Sequence, residues 1–199
     1  MNIFKIVGNN AWKQITYLIE HENTAILIDC GASLEQIQEV LAKKDSSLKA
    51  PEIKAIFLTH SHFDHILYLE EIQKKFNCPI YIKSGCENYL HSKEYNCSTY
   101  FTRPITYKPS NIIPIKDEEP IILAPFTITP LFTPGHSKCS VSYLIDNNIF
   151  TGDTLFGFQT GRTDLIGGDD KELEMSVEKI LSQDFKLAYP GHGIPFTRR

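Results

Sequence analysis

The stretch FLTHSHFDHIL, residues 57–67, sets His60, His62, Asp64 and His65 within six positions directly after an apolar run, in a chain of 199 residues with only 7 histidines. His60 and His62 are separated by one residue, so on extended chain leaving a strand their side chains depart on the same side and can converge on one ion. Asp64 and His65 fall where the chain turns into a helix and can face a neighbouring ion. Clustered imidazoles with a carboxylate suit zinc, iron or manganese. Satisfied core or surface histidines are the bland alternative, and a cluster this dense makes it a poor one.

Working outward, IKAIFL (53–58) reads as a buried strand, LYLEEIQKKF (67–76) as a helix and PIYIK (79–83) as a further strand. Upstream, NIFKIV, ITYLIE and TAILID alternate closely enough for an antiparallel meander, with HEN as a turn. Ser33 is placed to cap a helix over SLEQIQEVLAKK (33–44), whose Leu34, Ile37, Val40 and Leu41 repeat at helical spacing. From Ser84 to about Pro120 periodicity fails, which marks a lid or substrate-facing insertion. Downstream, FTITPLFT is a strand, and VSYLID with NIFTGD forms a hairpin about Asn147-Asn148. DDKELEMSVEKILSQ is a helix capped by Asp169 or Asp170, and KLAYPGHG is a last strand running into a glycine-rich loop. Strands flanked by helices in both halves predict a sheet core with helices outside, in a single domain over 1–199.

Composition narrows the function. Hydrophobic residues make up 42% and charged residues 22%, ordinary for a globular chain. A net charge of −4 without a long basic stripe gives no support to nucleic-acid binding. No apolar run reaches membrane-span length, and the N-terminus lacks a signal-peptide pattern. The 5 cysteines (Cys30, Cys78, Cys86, Cys97, Cys139) are odd in number and contain no CxxC pair, which speaks against a disulfide framework and a thiolate zinc site and fits a reducing cytoplasm.

Two further histidines share one context: His136 in FTPGHS and His192 in YPGHG each follow a strand and a Pro-Gly pair, and join the first cluster as ligand candidates. Asp153, in IFTGDTLF, ends a strand; as a carboxylate with two oxygens it can bridge two cations, or it can simply cap a turn. With five histidines and two aspartates, the count favours bridging. Asp29 and Asp164 are candidates to orient ligand imidazoles, with a turn role or an ion pair to Arg162 as the alternative. Arg162 could instead receive a substrate carboxylate. Tyr95, Tyr100, Phe101 and Tyr107 are candidates for the cleft mouth, or for core packing; His21 and His91 read as incidental.

Taken in order, THSHFDH, TPGH, TGD and PGHG resemble the metallo-β-lactamase superfamily, from residue 28 to the end. The resemblance implies an αββα sandwich of two mixed β-sheets flanked by helices. It implies two divalent metal ions, zinc first with iron or manganese as the other candidates. His60, His62 and His136 would hold one ion and Asp64, His65 and His192 the other, with Asp153 and a hydroxide between. Within the superfamily, GDTLF and GRTDLIGGD are similar to glyoxalase II-like hydroxyacylglutathione hydrolases. That implies a small-molecule thioester substrate, glutathione-derived in that family, with Asp64 as the catalytic residue that orients the nucleophile.

Three departures bear on the substrate. The chain ends soon after His192, so the C-terminal helical domain that supplies much of the glutathione site is expected to be lacking. Cys139 and Cys30 stand where the similar motifs usually have glycine and proline. A β-lactamase is expected to be exported and to carry a cysteine at the Asp153 position, a flavodiiron protein to have glutamate in place of His62, and an RNase Z-like nuclease to show a basic face. The main alternative is a mononuclear iron persulfide dioxygenase with nearly the same motif. Oligomeric state is not legible.

Overall fold

The computed structural model describes residues 1–43 and 50–198. Its N-terminal half builds a six-stranded mixed sheet from β1 (Asn2–Val7), β2 (Ile15–His21), β3 (Thr24–Ile28), β4 (Glu52–Phe57), β5 (Ile80–Lys83) and β6 (Ile112–Ile115), side by side in chain order. β1, β2 and β3 form the expected antiparallel meander, and β3 to β6 then run parallel. The second sheet has the order β14-β13-β10-β9-β8-β7, where β7 is Ile121–Leu123, β8 Phe126–Phe132, β9 Val141–Ile145, β10 Asn148–Gly152, β13 Leu187–Pro190 and β14 Phe196–Thr197. It too is mixed, because β10 and β13 are parallel while the other neighbours are antiparallel. A small ribbon of β11 (Leu155–Phe156) and β12 (Gln159–Thr160) stands apart.

Burial follows the strand period of two. On β2, Ile15, Tyr17 and Ile19 point to the interior between the sheets, where they meet Phe126, Ile128, Tyr143 and Phe150 of the second sheet. Leu18 points the other way and joins Ile37 of α1 (Leu34–Ala42) and Leu69 and Ile72 of α2 (Leu69–Phe76). The outer face of the second sheet is covered by α4 (Asp170–Ser182) through Ile180, packed with Leu131, Ile149 and Ala188. The layers are therefore helix, sheet, sheet, helix, the expected αββα sandwich.

Helix ends obey local chemistry. Ser33 caps α1 in a full capping box with Gln36, and Asp169 rather than Asp170 caps α4 by accepting from the Glu172 N–H. The expected α1 terminus at Lys44 lies outside the described residues. The β9–β10 turn is Asp146-Asn147, one residue earlier than expected, with Asp146 at φ 53°. The stretch expected to be irregular, 84–120, holds a 3₁₀ turn at Glu87–His91, α3 (Ser98–Phe101) and β6. β6 contains Pro114, tolerated because this strand forms the sheet edge.

Candidate metal centre

Parallel alignment brings the site together. β3 and β4 end beside one another, delivering Asp29 and the His60–His65 loop to one end of the sandwich. β10 and β13, likewise parallel, deliver Asp153 and His192 to that end, and the β8–β9 loop supplies His136. Both sheets grip the first loop: from the second, Tyr143 Oη donates to the Leu58 carbonyl at 2.7 Å and the Val141 N–H to the Thr59 carbonyl at 2.8 Å, and the Leu58 N–H donates to the Tyr81 carbonyl of the first at 3.0 Å.

The seven side chains converge. Ring centroids of His60 lie 4.6 Å from His62, 4.1 Å from His65 and 5.0 Å from His136. His65 Nε2 is 3.3 Å from Asp153 Oδ1, and His192 Nε2 is 3.2 Å from Asp64 Oδ2 and 3.6 Å from Asp153 Oδ2. Three overlapping groups have donor atoms within 4.8 Å of one another: His60, His62 and His136; Asp64, His65 and His192; and His60, His65 and Asp153. The first two are the two sets expected from the motif. In the third, Asp153 lies next to a member of each.

The imidazoles are oriented from behind. Asp29 accepts from Thr59 N (2.8 Å) and Thr59 Oγ1 (2.7 Å), and its Oδ2 lies 2.7 Å from His65 Nδ1. Since the Thr59 hydroxyl proton is used on Asp29, Thr59 Oγ1 accepts from His60 Nδ1 at 3.1 Å. His136 Nδ1 donates to the Arg162 carbonyl at 2.8 Å. In each case Nδ1 carries the proton and Nε2 faces inward with its lone pair, the arrangement a cation needs. His60 Nε2, His62 Nε2, His65 Nε2 and Asp153 Oδ1 are all buried without a hydrogen bond. His62 meets His136 Nε2 through its Nδ1 at 3.0 Å, while the other three belong to the His60, His65 and Asp153 group; unsatisfied buried polar atoms this close together are costly unless a cation is held there.

Electrostatics agree. Burial pushes His60 well below the ordinary imidazole range, with His65 and His62 adding to it. Burial and His136 push His62 down to about 3. Both stay neutral at ordinary pH and able to donate electrons. Burial would lower His65 and raise Asp153 and Asp64. Their mutual fields win: with no cation among them the carboxylates hold His65 well above the ordinary range, so its Nε2 keeps a proton that a bound cation would displace, and the histidines hold both aspartates below theirs.

Glycine makes room for this crowding. A Cβ on Gly191 would lie 2.3 Å from Asp153 Oδ1 and 2.6 Å from His65 Cε1, so the Pro-Gly pair before His192 is a steric requirement.

A family model described as the metallo-beta-lactamase superfamily matches residues 12–192. The chain belongs to the metallo-beta-lactamase superfamily. Among its relatives is the probable metallo-hydrolase YqgX of Bacillus subtilis (strain 168), 34% identical over 182 residues, covering 89% of this chain and 83% of YqgX. Among solved structures, the BLEG-1 B3 metallo-beta-lactamase superposes with a TM-score of 0.88 at 31% identity, covering 98% of this chain and 94% of the other. TTHA1623, solved in a di-iron-bound form, gives 0.76 at 28% identity, covering 96% and 93%.

In this superfamily member the cluster opens into a cleft with two arms. One, of 220 Å³, is walled by Trp12, Phe63, Cys97, Phe101 and Leu165. The other, of 400 Å³, runs past Phe156, Gln159 and Gly193, and Arg162 borders both. Sequence reasoning overlooked Trp12 and Phe63; the position of Phe63 between two ligand candidates was the available signal. Of the four aromatics considered for the mouth, Phe101 lines the cleft. Tyr107 is buried in the first core, Tyr95 stacks on Tyr89, and Tyr100 is exposed. Asp29 contacts a ligand candidate, whereas Asp164 pairs with Arg162 at 2.6 and 2.7 Å. His21 and His91 are away from the cluster; His91 bonds the Tyr107 carbonyl.

Proposed function

We propose that the chain is a metallo-hydrolase that cleaves a small-molecule thioester. His60, His62 and His136 would hold one divalent ion and Asp64, His65 and His192 a second, with Asp153 shared between them. The observation that carries this is that three buried atoms without a hydrogen bond, His60 Nε2, His65 Nε2 and Asp153 Oδ1, belong to one donor group. Such ions supply Lewis acidity and bring the pKa of a water down to about 7. Zinc leads on the donor set, and iron stays open beside the di-iron form of TTHA1623.

Among the described residues, neither the thiol nor the serine nearest the cluster is a rival nucleophile. Cys97 lines the cleft, but burial and Asp64 push its thiol up to about 11, so it is protonated at neutral pH. Ser61 Oγ is turned away toward Cys139. Asp64 is fixed by His192 and is mostly buried at the cleft floor, where its carboxylate can orient an attacking water. Held ionised, neither Asp64 nor Asp153 has a proton to give a leaving group. A thiolate, with a conjugate acid near 8.5, leaves without one. An amine does not, which favours a thioester over an amide.

The likeness to BLEG-1 favours a second reading, β-lactam hydrolysis, which the sequence argument had set aside. One experiment separates the readings: protein of measured metal content is given S-lactoylglutathione and other thioesters, nitrocefin, and glutathione persulfide under an oxygen electrode. Thiol and acid release is expected. Oxygen consumption, or nitrocefin opening without thioester cleavage, would reject the thioesterase.

A further inference from the structure

The thioester reading leaves the acyl group undefined, and resting on that reading we propose that the acyl group sits in an aromatic box of Trp12, Phe63 and Phe101, which selects flat apolar acyl groups over hydroxyacyl groups. The three rings form one array: Trp12 stands edge-on to Phe63 at 4.9 Å and to Phe101 at 5.9 Å, while Phe63 and Phe101 face each other at 6.1 Å and 24°. They come from the β1–β2 loop, the His60–His65 loop and α3, so three separate segments contribute one ring each. Leu165 lies across the same cavity, and His62, Asp64 and Asp153 form its floor. Of the two arms this is the one walled by rings, so the acyl substituent is assigned to it and the thiol portion to the arm past Phe156 and Gln159.

The box is held rather than loose. The Trp12 N–H donates to Asn10 Oδ1 at 3.0 Å, and Asn10 Nδ2 donates to the Gly31 carbonyl at 3.0 Å, tying the loop to the end of β3. The Phe63 N–H donates to the Asn96 carbonyl at 2.8 Å, and buried Asn96 is itself bonded to Ile105 and Ser98. Phe101 is 38% exposed and Trp12 half-buried, so ring surface is left facing the cavity. Covering such surface with another flat ring is favourable beyond area alone. Two polar side chains of this wall are engaged: Arg162 through Nε and Nη2 by Asp164, with its guanidinium 5.8 Å over the Phe101 ring, and Cys97 Sγ by the Tyr95 carbonyl. The wall therefore presents mainly ring faces and edges, and a hydroxyl moved there from water loses hydration.

Size limits the group. A cavity of 220 Å³ is on the order of seven waters at ~30 Å³ each, smaller than the ~300–1,000 Å³ of sites for drug-sized ligands. One ring fits within it.

Trp12 is the only tryptophan in the chain, so its emission reports on the box directly. Two measurements on metal-loaded protein test the proposal. Titration with benzyl alcohol, uncharged and a weak metal ligand, should change Trp12 emission saturably, whereas propane-1,2-diol at equal concentration should not; Phe101→Ala should weaken the benzyl alcohol response. In kinetics, S-benzoyl and S-lactoyl N-acetylcysteamine differ only in the acyl group. The benzoyl ester should be preferred in kcat/KM, and Trp12→Ala and Phe101→Ala should each cut the benzoyl-to-lactoyl ratio about 10-fold or more. Equal emission responses, a preference for lactoyl, or loss shared equally by both esters would overturn the box while leaving the thioesterase intact. Saturable benzyl alcohol binding with no thioester cleaved would instead remove the thioesterase and leave the box.

Discussion

Asp29 Oδ2 lies 2.7 Å from His65 Nδ1, and the same carboxylate holds the Thr59 N–H and hydroxyl. One acidic group thus fixes two imidazoles, His65 directly and His60 through Thr59, and leaves both Nε2 atoms facing inward. In Asp29→Asn the amide offers one accepting oxygen where two accept now, and its NH₂ opposes groups that also donate. Metal affinity should fall about 10- to 100-fold, read by competition with a chromophoric chelator. A buried donor left unpaired should also cost about 1–3 kcal/mol of stability. Unchanged affinity would show that the backing carboxylate does not tune the centre.

Removing metal should lower the melting temperature. A ligand that binds only the folded chain, at 100 times its Kd, adds about 2.7 kcal/mol, and at 2–4 °C per kcal/mol for a chain of this size chelation of one site should cost roughly 5–11 °C. Differential scanning calorimetry with chelator, then with zinc or iron restored, checks both the loss and its reversal. Identical melting with and without chelator would argue against a cation in the cluster.

Gly191→Ala isolates the geometry of the centre from its donor set. The added methyl would fall 2.3 Å from Asp153 Oδ1, and the Gly191 N–H is bonded to the Gly152 carbonyl at 2.8 Å, so the loop cannot simply retreat. Asp153 must move. A displacement of about 1 Å in a reacting site can cost on the order of 100-fold, so kcat should fall by that order, with metal content reduced and the fold retained by circular dichroism. Wild-type rate and metal content would mean that the position of Asp153 is not critical.

The ligand candidates were legible because their chemistry is local: four lie in six residues, and His136 and His192 share a strand and Pro-Gly context that can be read without knowing what lies opposite. Strands β2, β3 and β4 were legible for a similar reason, since buried apolar runs report burial directly. What escaped depends on partners distant in sequence. β6 carries Pro114 and looked irregular until β5 was seen to pair with it. The two-residue strands of the β11–β12 ribbon are too short for any period. Asp29 and Asp164 could not be ranked, because only the parallel pairing of β3 with β4 sets Asp29 behind His65. Trp12 stands 51 residues from Phe63, and nothing local marks the two rings as one wall.

A side-chain hydrogen bond also joins the two sheets beside the ligand loop. Tyr143 on β9 donates to the Leu58 carbonyl at 2.7 Å across the inter-sheet core, one residue before Thr59. Tyr143→Phe keeps the ring and leaves that buried carbonyl without its partner, a loss of about 1–3 kcal/mol that lowers the melting temperature by about 2–12 °C at 2–4 °C per kcal/mol. The His60–His65 loop still has Asp29 on Thr59 N–H and Val141 on the Thr59 carbonyl. Stability should therefore drop while metal stoichiometry stays at the wild-type value, the reverse emphasis of Asp29→Asn. Calorimetry and elemental analysis on the two variants side by side decide it: if Tyr143→Phe also sheds metal, the inter-sheet bond positions the ligand loop as well as holding the sandwich together.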